Sequence, residues 1–241
     1  MATIIIALLV INFPLYDPQS KDLTNETIIL IGYSQMEGKW GTMGPRLEEI
    51  LIKRGSKVIR LGVGASGTSF WSKTLDGKRS RLTTKRTKRW TSAYLKKLNP
   101  TQIIVSLGGN DSSFGKYGKH IKTVRYYHLK YTLPLMKKLK AITKNVSWFG
   151  PAHRWQSEYK IKKRIRVKRG RQITSEILKE IADLSGVEYI SMLDWVSREK
   201  RLENVKPRRI RYDKVHYKDK GRIKSATWYA ETIAKNIYQT N

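Results

Sequence analysis

Thr27-Ile28-Ile29-Leu30-Ile31-Gly32-Tyr33-Ser34-Gln35-Met36-Glu37-Gly38 decides how this chain reads. A β-branched threonine and four consecutive aliphatic residues run straight into a glycine and a serine, with no polar position between them. A strand covered on both faces reads as such an unbroken apolar run, because helices on either side of a parallel sheet leave neither face to water. Leu47, Ile50 and Leu51 then follow at helical spacing, and the same rhythm recurs downstream. Lys57 to Leu61, Gln102 to Leu107, Val146 to Phe149 and Val187 to Ile190 read as further short strands. Helices are expected around 84–98, along the stripe Ile173, Ile177, Leu178, Ile181, Leu184, and at the end through Ile223, Ala226, Ala230, Ile233 and Ile237.

Five short strands separated by helices predict an α/β fold, because parallel neighbours need crossover connections and those crossovers cover the sheet. The expected architecture is a three-layer α/β/α sandwich on a mostly parallel five-stranded sheet. In such a sheet ligands gather at the carboxyl ends of the strands, so the residue types just after each strand carry the functional information.

The 241 residues suit one domain with a substantial core. We read 27–241 as that domain and the apolar stretch within 1–26 as a retained arm or strand, since the basic residues that precede a secretory leader are missing. Secretion or carriage on a virion remains a reading of localisation, and oligomeric state is not legible. The chain has no cysteine, which excludes disulfides and thiolate metal sites. Its 49 Lys and Arg against 19 Asp and Glu give a net charge of +30, more than solubility needs. That excess implies a polyanionic partner: an anionic polymer, an anionic surface or nucleic acid. The densest cluster, Lys160 to Arg171, is expected to be an exposed basic loop or helix start.

Four segments carry chemistry. Ser34 stands on the turn out of the first strand, where a serine is more often a helix cap than a nucleophile. Gly62-Val63-Gly64-Ala65-Ser66-Gly67-Thr68-Ser69 follows the second strand, and its glycines let backbone N–H groups approach a ligand oxygen. Gly108-Gly109-Asn110-Asp111 follows the third and offers an amide donor, although the same residues make ordinary turns. Asp213-Lys214-Val215-His216 precedes the final helix, a spacing that allows the carboxylate to orient the imidazole for a serine, although such a pair alone is more often coincidental.

In this order the four segments resemble the blocks of the SGNH (GDSL-like) esterase family. Gly32-Tyr33-Ser34 with Gly38 is similar to its first block, with Tyr33 where the family has aspartate; Ser66-Gly67-Thr68 is similar to the second; Gly108-Gly109-Asn110-Asp111 and Asp213/His216 match the third and the last. Trp148-Phe149-Gly150-Pro151 resembles the family's fourth strand and the turn after it. The resemblance implies a flavodoxin-like fold and ester hydrolysis through an acyl-enzyme, with no cofactor and no metal. It implies Ser34 as nucleophile, His216 as base and Asp213 as its orienting acid. The oxyanion hole would be formed by the N–H groups of Ser34 and Gly67, with Gly64 as the alternative, and by the Asn110 amide. Ser34, Asn110 and His216 should therefore converge at the carboxyl edge of the sheet.

His120, His128 and His153 are rival bases without a nearby aspartate in frame, and Asp111 reads as structural. Trp40, Trp71 and Trp155 lie beyond the motif loops, where they either pack or stack on a substrate. The charge points to an acylated anionic polymer of carbohydrate or cell-envelope type as substrate. A lipid or small-ester hydrolase and a basic binding or structural protein on the same scaffold are the alternatives.

Overall fold

The computed structural model describes residues 22–111, 121–152, 161–205, 207–210 and 216–239, with the backbone alone for 161–169, 207, 208 and 239. The expected strands form one sheet: β1 (Thr27–Gly32), β2 (Lys57–Gly62), β3 (Gln102–Ser106), β4 (Val146–Phe149) and β5 (Glu188–Ile190). All are parallel, in the order β2-β1-β3-β4-β5. The chain leaves β1 in one direction to reach β2 and returns past β1 to β3, so the topological switch point lies between β1 and β3. The helices in chain order are α1 (Ser34–Glu37), α2 (Met43–Ile52), α3 (Thr68–Leu75), α4 (Ser92–Lys97), α5 (Ile121–Lys140), α6 (Ile161–Ser185), α7 (Trp195–Arg198), α8 (Pro207–Ile210) and α9 (Ser225–Gln239).

Alternate residues of β1 supply two separate cores, as the two-residue period of a strand requires. Ile28 and Leu30 join Leu47, Ile104, Ala230 and Ile233 beneath α2 and α9. Ile29 and Ile31 join Val105, Trp71, Leu139 and Leu178 beneath α3 to α6. Each fully buried aliphatic side chain contributes about 1.5–3 kcal/mol relative to exposure, so the all-apolar β1 is the keel of the domain. Of the arm expected over 1–26, residues 1–21 lie outside the described residues, and Leu23 is buried in the core beneath α2 and α9.

Two local expectations are corrected. The helix expected over 84–98 is instead a 3-10 turn, Thr87–Arg89, followed by the short α4. Its threonines divert the backbone: Thr84 N donates to Thr87 Oγ1 at 2.8 Å, and Thr91 Oγ1 caps Tyr94 N at 3.2 Å. Ile223 belongs to a two-residue hairpin strand, β7 (Ile223–Lys224), paired with β6 (Asp219–Lys220), so α9 begins only at Ser225. Asp219 forces that start, since its carboxylate accepts from Ala226 N and Thr227 N, both at 3.1 Å. For the basic segment 160–171, expected as an exposed loop or helix start, the helix is what forms, and Lys160 lies outside the described residues. From Ile161 the segment is the first part of α6, continuous with the apolar stripe, of which Leu184 alone is exposed.

His128 is fully buried on α5, its Nδ1 2.8 Å from Thr132 Oγ1, and burial pushes its pKa down to about 4 from 6.5. The unfolded chain therefore binds a proton that the folded one refuses between these values, and stability falls as pH drops from about 6.5 toward 4. The full shift corresponds to roughly 3 kcal/mol. His128→Gln should flatten this limb of the melting-temperature profile, and an unchanged slope between pH 6.5 and 4 would locate the proton uptake elsewhere.

Candidate active site

Ser34 is the first residue of α1, directly beyond the carboxyl end of β1. Its Oγ lies 2.8 Å from His216 Nε2. This contact joins residues 182 apart in sequence, and two tethers behind the pair explain its closeness. Tyr217 N donates to the buried Gln35 Oε1 at 3.2 Å, and Tyr217 O accepts from Thr42 N at 3.1 Å. The residues flanking Ser34 and His216 are thus bonded to each other, and the Tyr217 ring is wedged between Trp195 and Tyr229 with centroids 4.9 Å from each. Gln35 was not legible as a site residue, since it carries no chemistry itself. Its only signal is its place beside the serine.

Asn110, just past β3, lines the same cleft of about 620 Å³. One N–H of its amide donates to Ser66 O at 2.7 Å, which fixes the plane of the group and leaves the second N–H for a ligand. Gly64 and Ala65, on the turn after β2, form the adjoining wall, with Ala65 in the left-handed region at φ 58°. Gly67 stands at the N-cap of α3, against the Asp111 carboxylate, where an added Cβ would lie 2.3 Å from Oδ1. Only glycine fits there.

Asp111 is a positioning group. Its buried carboxylate accepts from Thr68 N at 3.2 Å and from the Tyr127 hydroxyl at 2.9 Å, binding the turn after β3 to the start of α3. Burial raises its pKa to about 6, opposed by those hydrogen bonds. Tyr33, standing where the resembling family has aspartate, is buried with its ring against Gly109, so it props the Asn110 turn from below.

Arg171, the last residue of the basic segment, is also buried. Its guanidinium donates to Ala152 O, beyond β4, and to Gly109 O at 3.3 Å, so it clamps two strand-end turns together. Arg171→Met keeps the stem and strands both carbonyls, and should cost about 2–4 kcal/mol of stability. Urea unfolding measures this, and a loss below about 0.5 kcal/mol would contradict the clamp.

Trp40 lies at the mouth, about half exposed, its ring near-parallel to the His216 imidazole at 6.5 Å between centroids. Glu37, Lys39, Val63, Arg81, Leu82, Thr83 and Thr84 complete the lining. Trp71 is wholly buried packing, stacked on Trp90. Asp213, His120, His153 and Trp155 lie outside the described residues. Among the described residues no group of His, Asp or Glu is arranged to hold a metal ion.

The fold matches solved structures that include esterases and hydrolases. An acetylxylan esterase from Geobacillus stearothermophilus shares 14% identity at a TM-score of 0.58, over 89% of this chain and 95% of that one. A hydrolase from the metagenome of Lake Arreo shares 12% at 0.56, over 90% and 98%. A gut microbial diltiazem-metabolizing enzyme shares 17% at 0.61, over 90% of this chain and 48% of that one. The fold is that of solved esterases. No protein-family model matches the sequence, and no curated protein is similar to it.

Proposed function

We propose that the protein is a serine esterase that removes a short acyl group, such as acetyl, from a carbohydrate polymer. The observation that carries this reading is the 2.8 Å contact between Ser34 Oγ and His216 Nε2 in a cleft shared with the Asn110 amide. Ser34 attacks the acyl carbonyl while its hydroxyl proton passes to His216 Nε2. The carbonyl oxygen, now an oxyanion, accepts from the Asn110 amide and the N–H groups of Ser34 and Gly67. As the tetrahedral intermediate collapses, the C–O bond to the sugar breaks and His216 returns its proton to the leaving sugar oxygen. Water then attacks the acyl-Ser34 ester with His216 again as base, releasing the carboxylic acid and restoring the serine. Asp213, three residues before His216, is proposed to hold the imidazole tautomer.

Carbohydrate is favoured by the rim. An exposed indole beside a catalytic imidazole offers a flat apolar face to a sugar ring, and the threonines and cations around it suit hydroxyl-rich ligands. The matched acetylxylan esterase acts on such esters, and its solved forms include catalytic mutants at a serine, an aspartate and a histidine. Acetate release from an acetylated xylooligosaccharide, but not by Ser34→Ala, tests the activity. Trp40→Ala should raise the Michaelis constant for that substrate about tenfold, a stacking contribution of roughly 1–1.5 kcal/mol, while 4-nitrophenyl acetate, which has no sugar, is affected far less. Equal losses on both esters would remove the stacking role.

A further inference from the structure

Between Asp76 and Asp111 the sequence contains nine lysines and arginines and no acid. Six of them, Arg79, Arg81, Lys85, Arg86, Lys88 and Arg89, fall within eleven residues, and all six are exposed. None forms an ion pair with a described residue. The segment is nevertheless built rather than loose. Ser80 N donates to Thr83 Oγ1 and Thr84 N to Thr87 Oγ1, both at 2.8 Å, and Thr87 N donates back to Thr84 Oγ1 at 3.2 Å. The Arg86 guanidinium sits 5.2 Å from the Trp90 ring centroid, and that ring also stacks on Trp71 at 5.7 Å. Such a backbone holds its cations in place before any ligand arrives, which lowers the ordering cost of binding.

The segment also joins two cavities. Arg81, Leu82, Thr83 and Thr84 form one wall of the catalytic cleft. The next residues, Lys85, Arg86 and Arg89, line with Trp90 and Tyr94 a second cavity of about 380 Å³. Four residue steps lead from Arg81 to Lys85, a span of at most roughly 14 Å.

We infer that residues 79–89 form a binding track for the acidic flank of a polyuronate-like glycan, with the second cavity as a carboxylate subsite beyond the catalytic cleft. This rests on the esterase reading of the cleft. The cleft takes the acylated sugar, and Lys85 and Arg89 take the carboxylate of a residue further along the same chain. Guanidinium forks match carboxylates in a way that a lone ammonium does not. Nucleic acid fits less well, because single strands bind through bases stacked on open aromatic faces. Trp90 is buried, with one face against Trp71 and Arg86 over the ring.

The test uses Ser34→Ala as a non-hydrolysing binder, with and without Lys85→Gln/Arg89→Gln, two exposed positions whose replacement does not threaten the fold. Calorimetric titration with polygalacturonate should show affinity about tenfold weaker in the variant carrying the extra pair, with a smaller dependence on salt. Neutral xylan should bind both alike. With Ser34 present, the pair should lower the ratio of kcat/KM on acetylated polygalacturonate to that on acetylated xylooligosaccharide by a similar factor. Unchanged polygalacturonate affinity, or tighter binding of single-stranded DNA through the same two residues, would overturn the track. Absence of acetate release from every ester, with polygalacturonate binding still dependent on Lys85 and Arg89, would overturn the esterase reading and support the track.

Discussion

Ser34→Ala and His216→Ala are each expected to lower kcat on 4-nitrophenyl acetate by a factor on the order of 10⁴ to 10⁶, and the double variant to be little worse than either. The reason is geometric. Oγ and Nε2 lie 2.8 Å apart, and in the proposed mechanism the imidazole takes one proton, so without the hydroxyl there is none to take. Without the imidazole, the hydroxyl keeps its ordinary, weakly nucleophilic state. Residues that form one unit fail together, so the losses should not multiply. Steady-state rates of the three variants measure this, and multiplicative losses would show two groups acting independently.

Asn110→Ala should lower kcat by about 10²- to 10³-fold with little change in the Michaelis constant, as loss of a single oxyanion donor does. The amide is well placed for that, because its bond to Ser66 O fixes the group before substrate arrives. The oxyanion then meets a donor that needs no reorganisation. The same substitution frees Ser66 O within a turn whose own side-chain oxygen is held by Val63 O at 2.8 Å and by Trp71 Nε1 at 3.1 Å. Melting temperature should therefore change little. A rise in the Michaelis constant at unchanged kcat would assign Asn110 to ground-state binding instead.

The sheet was legible because each strand centres on a short run of aliphatic or aromatic residues followed by a glycine or serine turn, even where β2 carries Arg60 and β5 carries Glu188. The meeting of Ser34, Asn110 and His216 in one cleft was legible through the spacing of the turns that follow β1 and β3 and precede β6. What escaped was whatever depends on contacts between those turns. The Gln35 to Tyr217 tether and the Arg171 clamp on Gly109 and Ala152 join positions with no local pattern to announce them. Arg171 shows the difficulty plainly: seven other basic residues crowd the stretch 160–171, and composition alone assigns all of them to solvent. Asp111 looked like a turn residue and is one, but its carboxylate also braces the start of α3. The helix α5 has a weaker apolar stripe and an internal Pro134, and its period was not read from the sequence.

The cleft also gives the positive charge a direction. Arg81 and Lys39 lie on its rim, so part of the +30 is turned toward the reacting groups rather than spread over the surface. With one acid, Glu37, against Lys39 and Arg81, the lining is net positive, and such a cleft raises the local concentration of anionic substrates. Turnover of an acidic glycan ester should accordingly weaken with added salt more than turnover of a neutral one.

Covalent labelling tests the central claim most directly. A fluorophosphonate should modify the intact protein once, with the adduct mapped by tandem mass spectrometry to Ser34, and labelling should vanish in Ser34→Ala and slow sharply in His216→Ala. An adduct on any other residue, or labelling that survives the loss of Ser34, would contradict the assignment of Ser34 as the nucleophile.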